Sequence, residues 1–264
     1  MSMSNLLQDK VVLVTGGAGG LGKAIVQACL ENNAKGVVLA DINETLAKGI
    51  EAEFKASSSS LASTTLDVSL ESSCASAVQF AIKHFGRLDV LINNAAIMDA
   101  YHSAATCEKE MWDRVIGIDL TGPYLMTKYA VKHFLGREDG LPSSGSIVNI
   151  GSIAAQRGTL AGVAYTTAKH GLIGLTKNTA AAHAKQGIRA SIVLPGGMKT
   201  NMTAAPPKDY SEEGLAMSMK TLDLPVELFV DVQDMANTIV FLASDSGRGM
   251  NGAVVTVDNG INAF

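Results

Sequence analysis

Short runs of valine, isoleucine and leucine recur along the chain, separated by stretches long enough to form helices. Most of these runs lack alternation of polar and apolar positions, which indicates strands buried on both faces. Strands that alternate with helices form a parallel sheet covered on both sides. We therefore predict an α/β fold with a doubly wound sheet of about seven strands. The predicted strands are Lys10–Thr15, Gly36–Ala40, Ala62–Asp67, Leu88–Asn93, Ser146–Ile150, Arg189–Leu194 and Ala253–Val257.

Two longer segments carry the strongest helical pattern, Lys109–Phe134 and the alanine-rich Thr159–Lys185. Residues 57–60 and 136–145 are polar and predict loops. The segment 198–226 has weak periodicity, adjacent prolines and several methionines. Because long irregular insertions are usually functional or mobile, we expect 198–226 to be a substrate-binding loop or lid. It would belong to a single domain spanning residues 1–264.

Composition narrows the range of partners. The formal net charge of −4 and the pI of about 5.7 leave no basic surplus, so nucleic acid and membranes are not expected partners. The apolar runs are shorter than the ~20 residues of a membrane helix, and the N-terminal residues lack a secretory-signal pattern. Three widely spaced cysteines favour neither disulfides nor a metal site. We expect a cytoplasmic protein without a bound metal.

A glycine-rich turn joins the first predicted strand to a helical segment, because residues 15–22 read TGGAGGLG. Glycines allow positive φ and close approach of the backbone to a pyrophosphate, and the N-terminus of the next helix offers N–H donors. This context predicts a dinucleotide site in a Rossmann-type domain. The expected contacts from the turn are Gly16, Gly19, Gly20, Leu21 and Gly22.

The end of the second predicted strand indicates which dinucleotide binds. Asp41 lies about 20 residues beyond the glycines, where a carboxylate accepts hydrogen bonds from the adenosine ribose and repels a 2′-phosphate. No arginine or lysine lies inside the turn or directly after Asp41. We therefore expect NAD rather than NADP, contacted by Asp41 and Ile42. Alternatively, Asp41 could cap the next helix, a role for which Asn43 competes.

Tyr165 and Lys169 are four residues apart, about one helical turn, so their side chains share one helix face. A phenol has an unperturbed pKa of ~10 and becomes a useful base at neutral pH only beside a cation. Lys169 is placed to be that cation. Ser152 follows the fifth predicted strand, where its hydroxyl could join the same site or cap its own turn.

These residues resemble the short-chain dehydrogenase/reductase family over essentially the whole chain. The motifs occur in the family's order, and two of them depart from its pattern, because Ala96 and Asn259 replace glycines. They are the glycine turn, Asp67-Val68, Asn93–Ala96, the set Ser152, Tyr165 and Lys169, Pro195-Gly196 with Thr200, and Val257–Gly260.

The resemblance implies hydride transfer between NAD(H) and a secondary alcohol or ketone. Tyr165 would be the general acid or base, Ser152 would hydrogen-bond the substrate oxygen, and Lys169 would lower the pKa of Tyr165 and hold the nicotinamide ribose. By the same analogy, the helices with Trp112 and Tyr165 would form a homotetramer or homodimer. The implied cofactor contacts are Asp67, Val68, Asn94, Ala95, Ala96, Tyr165, Lys169, Pro195, Gly196, Met198 and Thr200.

Asp119 stands where the family often has an asparagine that helps a backbone carbonyl hold a proton-relaying water. The carbonyl survives the change to aspartate. An ionised carboxylate near Tyr165 would raise the pKa of the phenol, unless it pairs with Lys169 or stays protonated. We count Asp119 as a candidate catalytic residue and expect an alkaline-shifted optimum for oxidation. Alternatively, it marks a specialised or inactive branch, or is an ordinary helix position.

The candidate substrate pocket is mostly small or apolar, which favours an apolar or cyclic small molecule of low charge. The methionines could instead pack against one another in a closed lid, and Arg157 could contact an anionic substrate or lie on the surface. Two rival functions stay open. One is an isomerase, dehydratase or cyclase on the same scaffold, and the other is a non-catalytic NAD-binding protein. The pocket segments are Ala96–Asp99, Ile153–Arg157 and Gly197–Met202, with Met217 or Met219.

Overall fold

Seven parallel strands form one sheet in the order β3-β2-β1-β4-β5-β6-β7. The structure is a computed structural model that describes residues 5–55, 60–136, 144–200, 202 and 208–263. The predicted α/β fold is confirmed, whereas the predicted loops at 57–60 and 136–145 lie mostly outside the described residues. The strands are β1 Val11–Thr15, β2 Gly36–Asp41, β3 Leu61–Thr65, β4 Val90–Asn93, β5 Gly145–Ile150, β6 Ile188–Pro195 and β7 Val254–Val257.

Helices cover both faces of the sheet. They are α1 Gly20–Glu31, α2 Glu44–Lys55, α3 Glu71–Phe85, α4 Lys109–Ile116, α5 Gly122–Leu135, α6 Val163–His183, α7 Glu212–Thr221 and α8 Val232–Ala243. One core lies between the sheet and α1, α2 and α8, and a second lies between the sheet and α3 and α5.

Neighbouring residues of β1 enter different cores. Val12 and Val14 belong to the core beneath α1 and α8, whereas Leu13 belongs to the core beneath α3 and α5. All three side chains are fully buried. This two-sided burial is the physical reason that the strand sequences are continuously apolar.

Both long predicted helices exist, with one irregularity and one wrong boundary. The first is continuous, but a π turn at Gly117–Thr121 joins α4 to α5. The second begins at Val163 rather than Thr159, because Gly162 is extended (φ −76°, ψ 177°) and its carbonyl oxygen accepts the first helical hydrogen bond, from the Thr166 N–H.

The strand order reverses between β1 and β4. In doubly wound sheets, ligands bind outside the carboxyl ends of the strands at such a reversal. The predicted lid segment 198–226 contains α7, and residues 201 and 203–207 of that segment lie outside the described part of the chain. The fold therefore brings the glycine turn and α7 to the same edge of the sheet.

Candidate active site

A cavity of about 670 Å³ lies at the carboxyl edge of the sheet. Its lining begins at the glycine turn after β1, passes the segment after β4, and reaches Ser152, Tyr165 and Lys169. Ser152, Tyr165 and Lys169 thus share one cavity with the glycine turn, whereas Asp119, the fourth candidate catalytic residue, is not among the lining residues.

The glycine turn is too tight for side chains at two positions. Gly16 has a φ of +62°, in the left-handed region, and a Cβ at Gly22 would lie 2.0 Å from the Gly16 carbonyl oxygen. Helix α1 is capped by Gly19, which has no side chain to bond the first-turn N–H groups, and that turn contains no acidic residue. These open donors and their partial positive charge fit the pyrophosphate of a dinucleotide.

Thr15 and Asn94 tie the turn to β4. The Thr15 hydroxyl accepts hydrogen bonds from the backbone N–H groups of Asn94 and Ala95, both at 3.0 Å. The Asn94 side-chain amide donates to the carbonyl oxygens of Thr15 and Gly16, also at 3.0 Å. Asn94, which sequence reasoning placed at the cofactor, therefore also holds the glycine turn in place.

Asp41 ends β2 at the rim of the cavity. Its Oδ2 accepts the Ala18 N–H at 3.0 Å and its Oδ1 accepts the Asn43 N–H at 2.9 Å. The cap of α2 is Asn43, whose Oδ1 accepts the Leu46 N–H at 3.0 Å. The alternative in which Asp41 caps that helix is therefore wrong. Ile42 is 68% exposed, although it also lines the cavity.

The other residues expected at the cofactor also reach the cavity. Asp67 is fixed by Ser69, whose backbone N–H donates to Oδ1 at 2.9 Å. Thr200 lies against the glycine turn, since a Cβ on Gly20 would be 3.1 Å from its Cβ. The expected residues that line the cavity are Gly16, Gly19, Gly20, Leu21, Gly22, Asp41, Ile42, Asp67, Val68, Asn94, Ala95, Ala96, Tyr165, Lys169, Pro195, Gly196, Met198 and Thr200.

Tyr165 and Lys169 are buried together on α6. The Lys169 Nζ lies 5.2 Å from the centroid of the Tyr165 ring and donates to the Ile150 carbonyl oxygen at 3.2 Å. The same Nζ lies 3.2 Å from Asp119 Oδ2. The lysine is therefore shared between the phenol, the end of β5 and a carboxylate.

Asp119 sits in the π turn and is fully buried. Its Oδ1 accepts the Ile97 N–H at 2.9 Å, and its Oδ2 makes the ion pair with Lys169. Burial raises the pKa of the Asp119 carboxyl, which Lys169 opposes. Burial by itself would lower the pKa of Lys169, but the charges of Asp119 and Tyr165 outweigh it and raise that pKa. Lys169 therefore stays an ammonium held by Asp119.

Burial also raises the pKa of Tyr165, and the Lys169 charge lowers it only in part, while Asp119 adds to the rise. Lys169 does lower the pKa of Tyr165, as expected, but burial and Asp119 raise it by more. With the protein groups alone, the pKa of Tyr165 is therefore above its ordinary value. Ser152 also lowers the pKa of Tyr165 by hydrogen bonding. Its Oγ accepts the Ala154 N–H at 3.1 Å. Ser152 thus caps its own turn and also lines the cavity, and its contact with a substrate oxygen stays a prediction.

The far half of the cavity is mostly apolar. Its polar groups include Tyr101, Arg114 and Ser218. Ser218, on α7, donates to the Leu160 carbonyl oxygen at 3.3 Å and so ties the predicted lid to the segment before α6. The apolar lining comprises Ile97, Met98, Ile153, Leu160, Met202, Met219, Leu222, Leu228 and Phe229.

The outcome differs among the pocket residues expected from the sequence. Met219 lines the cavity, whereas Met217 is not part of its lining in the described structure. Arg157 donates to the Ile261 carbonyl oxygen at 2.9 Å, a contact with the C-terminal turn. Sequence reasoning missed Tyr101, Arg114, Leu160 and Phe229, since no local pattern marks them as neighbours of the lid.

The chain is similar to known proteins over nearly its whole length. A family model described as enoyl-(acyl carrier protein) reductase matches residues 16–262. The chain is 40% identical over 256 residues to the short chain dehydrogenase/reductase dpchG of Colletotrichum higginsianum, covering 96% of this chain and 94% of that one. The chain belongs to the short-chain dehydrogenase/reductase family. Members of this family are oxidoreductases that bind a nicotinamide cofactor and act on small molecules.

Two further relatives have names that state a compound. The 3beta-hydroxysteroid dehydrogenase 2 of Eggerthella lenta is 32% identical over 259 residues, covering 98% of this chain and 97% of its own. Momilactone A synthase of Oryza sativa is 34% identical over 257 residues, covering 97% and 91%. The crystal structure of gox2181 superposes with a TM-score of 0.86 at 28% identity and covers both chains fully.

Within the described residues, no helix is long and apolar enough to cross a bilayer. No three histidine, cysteine, aspartate or glutamate side chains of that same part of the chain converge on a possible metal site.

Proposed function

We propose that this chain transfers a hydride between NAD(H) and a secondary alcohol or ketone of an apolar or cyclic small molecule. The observation that carries the proposal is the single cavity that joins the glycine turn to Ser152, Tyr165 and Lys169. In that cavity Ser152 and Tyr165 offer hydroxyl groups to a substrate oxygen, and the Lys169 Nζ lies 5.2 Å from the Tyr165 ring centroid. A protein that only binds NAD has no need of this cluster.

In the proposed oxidation, Tyr165 takes the hydroxyl proton of the alcohol, and in reduction it returns that proton to the oxygen. Ser152 donates a hydrogen bond to the same oxygen and keeps its proton, while its Oγ accepts the Ala154 N–H. Lys169 stabilises the phenolate by its charge. When bound, the nicotinamide supplies the hydride acceptor or donor. Oxidation thus yields a ketone, reduced cofactor and one proton.

The preference for NAD rests on Asp41 and Ile42. Both Asp41 oxygens accept backbone N–H groups, which holds a negative carboxylate at the rim. A 2′-phosphate at this position would meet that charge, and the next residue, Ile42, offers no cation to offset it.

The apolar half of the cavity supports a ring system of low charge as substrate. Such a molecule would bury its carbon skeleton against Ile153, Leu160 and Phe229 while its oxygen reaches Tyr165. The relatives named for a 3beta-hydroxysteroid and for momilactone A favour a polycyclic alcohol.

A second candidate is an isomerase, dehydratase or cyclase that keeps the nicotinamide bound without net turnover. The Asp119–Lys169 ion pair favours it, because a lysine neutralised by a carboxylate stabilises a phenolate less.

We also propose a homodimer or homotetramer built through the α4–α5 and α6 helices. Tyr124 and Leu135 on α5 are 49% and 43% exposed, which is large for apolar side chains and suits a covered face. Light scattering after gel filtration would measure the mass directly, and a monomer would contradict this assembly.

Formation of reduced cofactor, followed by its absorbance, tests the proposed reaction. The panel pairs a 3β-hydroxysteroid with an acyclic secondary alcohol, each with NAD and with NADP. We expect turnover with NAD and the polycyclic alcohol. The Tyr165→Phe control should lose roughly 10²- to 10⁴-fold in kcat/KM while NAD affinity is kept. Tight NAD binding without turnover of any alcohol or ketone would favour the second candidate instead.

A further inference from the structure

The helix that carries Tyr165 begins at a residue without a side chain. Gly162 is the N-cap of α6 and cannot itself bond the first-turn N–H groups. Asp99, from the segment after β4, accepts the Gly162 N–H on Oδ1 at 2.8 Å and the Tyr165 N–H on Oδ2 at 2.9 Å. Tyr165 is the third residue of α6, the position whose N–H an N-cap side chain bonds. A residue distant in sequence therefore caps the helix.

Gly162 and Asp99 are sterically matched. A Cβ on Gly162 would lie 2.6 Å from Asp99 Oδ2, closer than real carbon and oxygen atoms approach. Asp99 is 2% exposed, so its carboxylate has little room to withdraw. The absence of a side chain at Gly162 is what admits the carboxylate.

The same carboxylate holds a wall of the substrate cavity. Asp99 Oδ1 also accepts the Tyr101 N–H at 3.2 Å. Tyr101 lines the cavity and has a φ of +60°, which a bulky residue adopts only when its surroundings hold it there. The neighbouring Ala100 carbonyl accepts the Ser211 N–H at 2.9 Å, next to the start of α7.

We propose that Asp99 is a positioning residue for the proposed hydride transfer: it fixes Tyr165 through the cap of α6 and Tyr101 through the loop after β4. The general acid, Tyr165, and the cavity-lining Tyr101 are then both held by the Asp99 carboxylate, which sets the distance between them. This inference rests on the proposed function.

The charge of Asp99 also acts on the Tyr165 phenol, as the smallest of the causes that shift its pKa. A carboxylate at a helix N-terminus offsets the partial positive charge there. Burial is the largest cause of the raised pKa of Tyr165, and Asp119 and Asp99 add to it, against Lys169 and Ser152. Removing Asp99 therefore lowers the pKa of Tyr165 and moves the pH limb of alcohol oxidation to lower pH.

Two variants of Asp99 and one control test the inference. Asp99→Ala removes the acceptor, and Asp99→Asn turns an amide N–H toward a group that is itself a donor. Asp231→Ala is the matched control, because Asp231 caps α8 by accepting the Gln233 and Asp234 N–H groups. Among the described residues, α8 contributes none to the cavity lining.

We expect both Asp99 variants to lose about tenfold or more in kcat at saturating substrate. The pH limb should move down, and NAD affinity should stay within about threefold, since Asp99 is not among the residues that line the cavity. The control should lower the melting temperature and leave kcat and the pH limb unchanged. An unchanged kcat and pH limb in the Asp99 variants, with a melting temperature lowered like that of the control, would make Asp99 merely structural and overturn the proposal.

A second measurement needs no substrate. Hydrogen exchange of the segment from Gly162 to Tyr165 should rise in Asp99→Ala and not in Asp231→Ala. Gly162→Ala should lower the melting temperature strongly in the wild type and weakly in Asp99→Ala, because the clash then disappears. Equal effects in both backgrounds would refute the pairing. If the wild type turns over no alcohol while these two results hold, the proposed reaction fails and the anchor stands.

Discussion

Lys169 Nζ and Asp119 Oδ2 are 3.2 Å apart, with side chains that are 3% and 0% exposed. A buried ion pair of this kind holds the lysine side chain in place. The negative charge of Asp119 also offsets part of the effect of Lys169 on the pKa of Tyr165. Asp119 therefore raises the proton affinity of the phenol, which Lys169 lowers.

Asp119→Asn should move the pH dependence of alcohol oxidation. Asp119 raises the pKa of Tyr165, so its neutralisation lowers that pKa, and phenolate forms at lower pH. We expect the rising limb of kcat/KM to shift to lower pH and kcat/KM at neutral pH to increase several-fold. The shift is read from kcat/KM across pH, with NAD affinity as the control. A profile that does not move would contradict the electrostatic role of Asp119.

Asp41→Asn should weaken the preference for NAD. Loss of the negative charge removes the repulsion of a 2′-phosphate, and Ile42→Arg, at an exposed position, adds a cation for it. We expect the ratio of kcat/KM for NAD to that for NADP to fall about tenfold in the single variants and further in the double variant. Steady-state kinetics with both cofactors measures the ratio. If only the absolute rates fall, the preference has another origin.

Gly22→Ala should disrupt the glycine turn. The new Cβ would lie 2.0 Å from the Gly16 carbonyl oxygen, so the turn must move, at a cost of roughly 1 to 3 kcal/mol. NAD binding should be lost or greatly weakened. Gly49→Ala is the matched control, because a Cβ there meets nothing within 4 Å, and alanine in α2 should stabilise the fold by up to about 1 kcal/mol. Thermal unfolding and NAD titration distinguish the two.

Met219→Glu should raise KM for an apolar substrate. Met219 lines the cavity and is 61% exposed, so the charge costs little stability but replaces apolar contact with the ligand. We expect KM to increase roughly 5- to 10-fold, because covering part of a methionine side chain with an apolar ligand contributes about 1 kcal/mol. Met217→Glu, on the same helix and 48% exposed, is the control. Equal effects of the two variants would show that the cavity wall is not the cause.

The sheet was predictable because strands buried on both faces carry long apolar runs, as in β1 and β2. The glycine turn and the Tyr165 and Lys169 pair were visible for a similar reason, since their geometry depends on local spacing. The start of α6 was placed four residues too early, at Thr159. Its true start depends on Asp99, which lies 63 residues before Gly162. Contacts between such distant residues leave no mark in a single local pattern.

The π turn was not predicted either, because its sequence fits an ordinary helix. It holds Asp119 toward Lys169, and it allows the two halves of one helix to serve different neighbours. Val115 in α4 packs in the cluster that contains Tyr165, whereas Met126 in α5 packs in the core beneath the sheet.

The number of residues in the π turn sets how α4 is rotated relative to α5. One residue rotates an α-helix by about 100°, so a deletion that converted the π turn to regular helix would swing α4 around relative to α5. Either Val115 or Met126 would then face away from its cluster, whichever residue was deleted. In this stretch the number of residues is constrained as strictly as their identity, and an insertion or deletion would cost more than most substitutions.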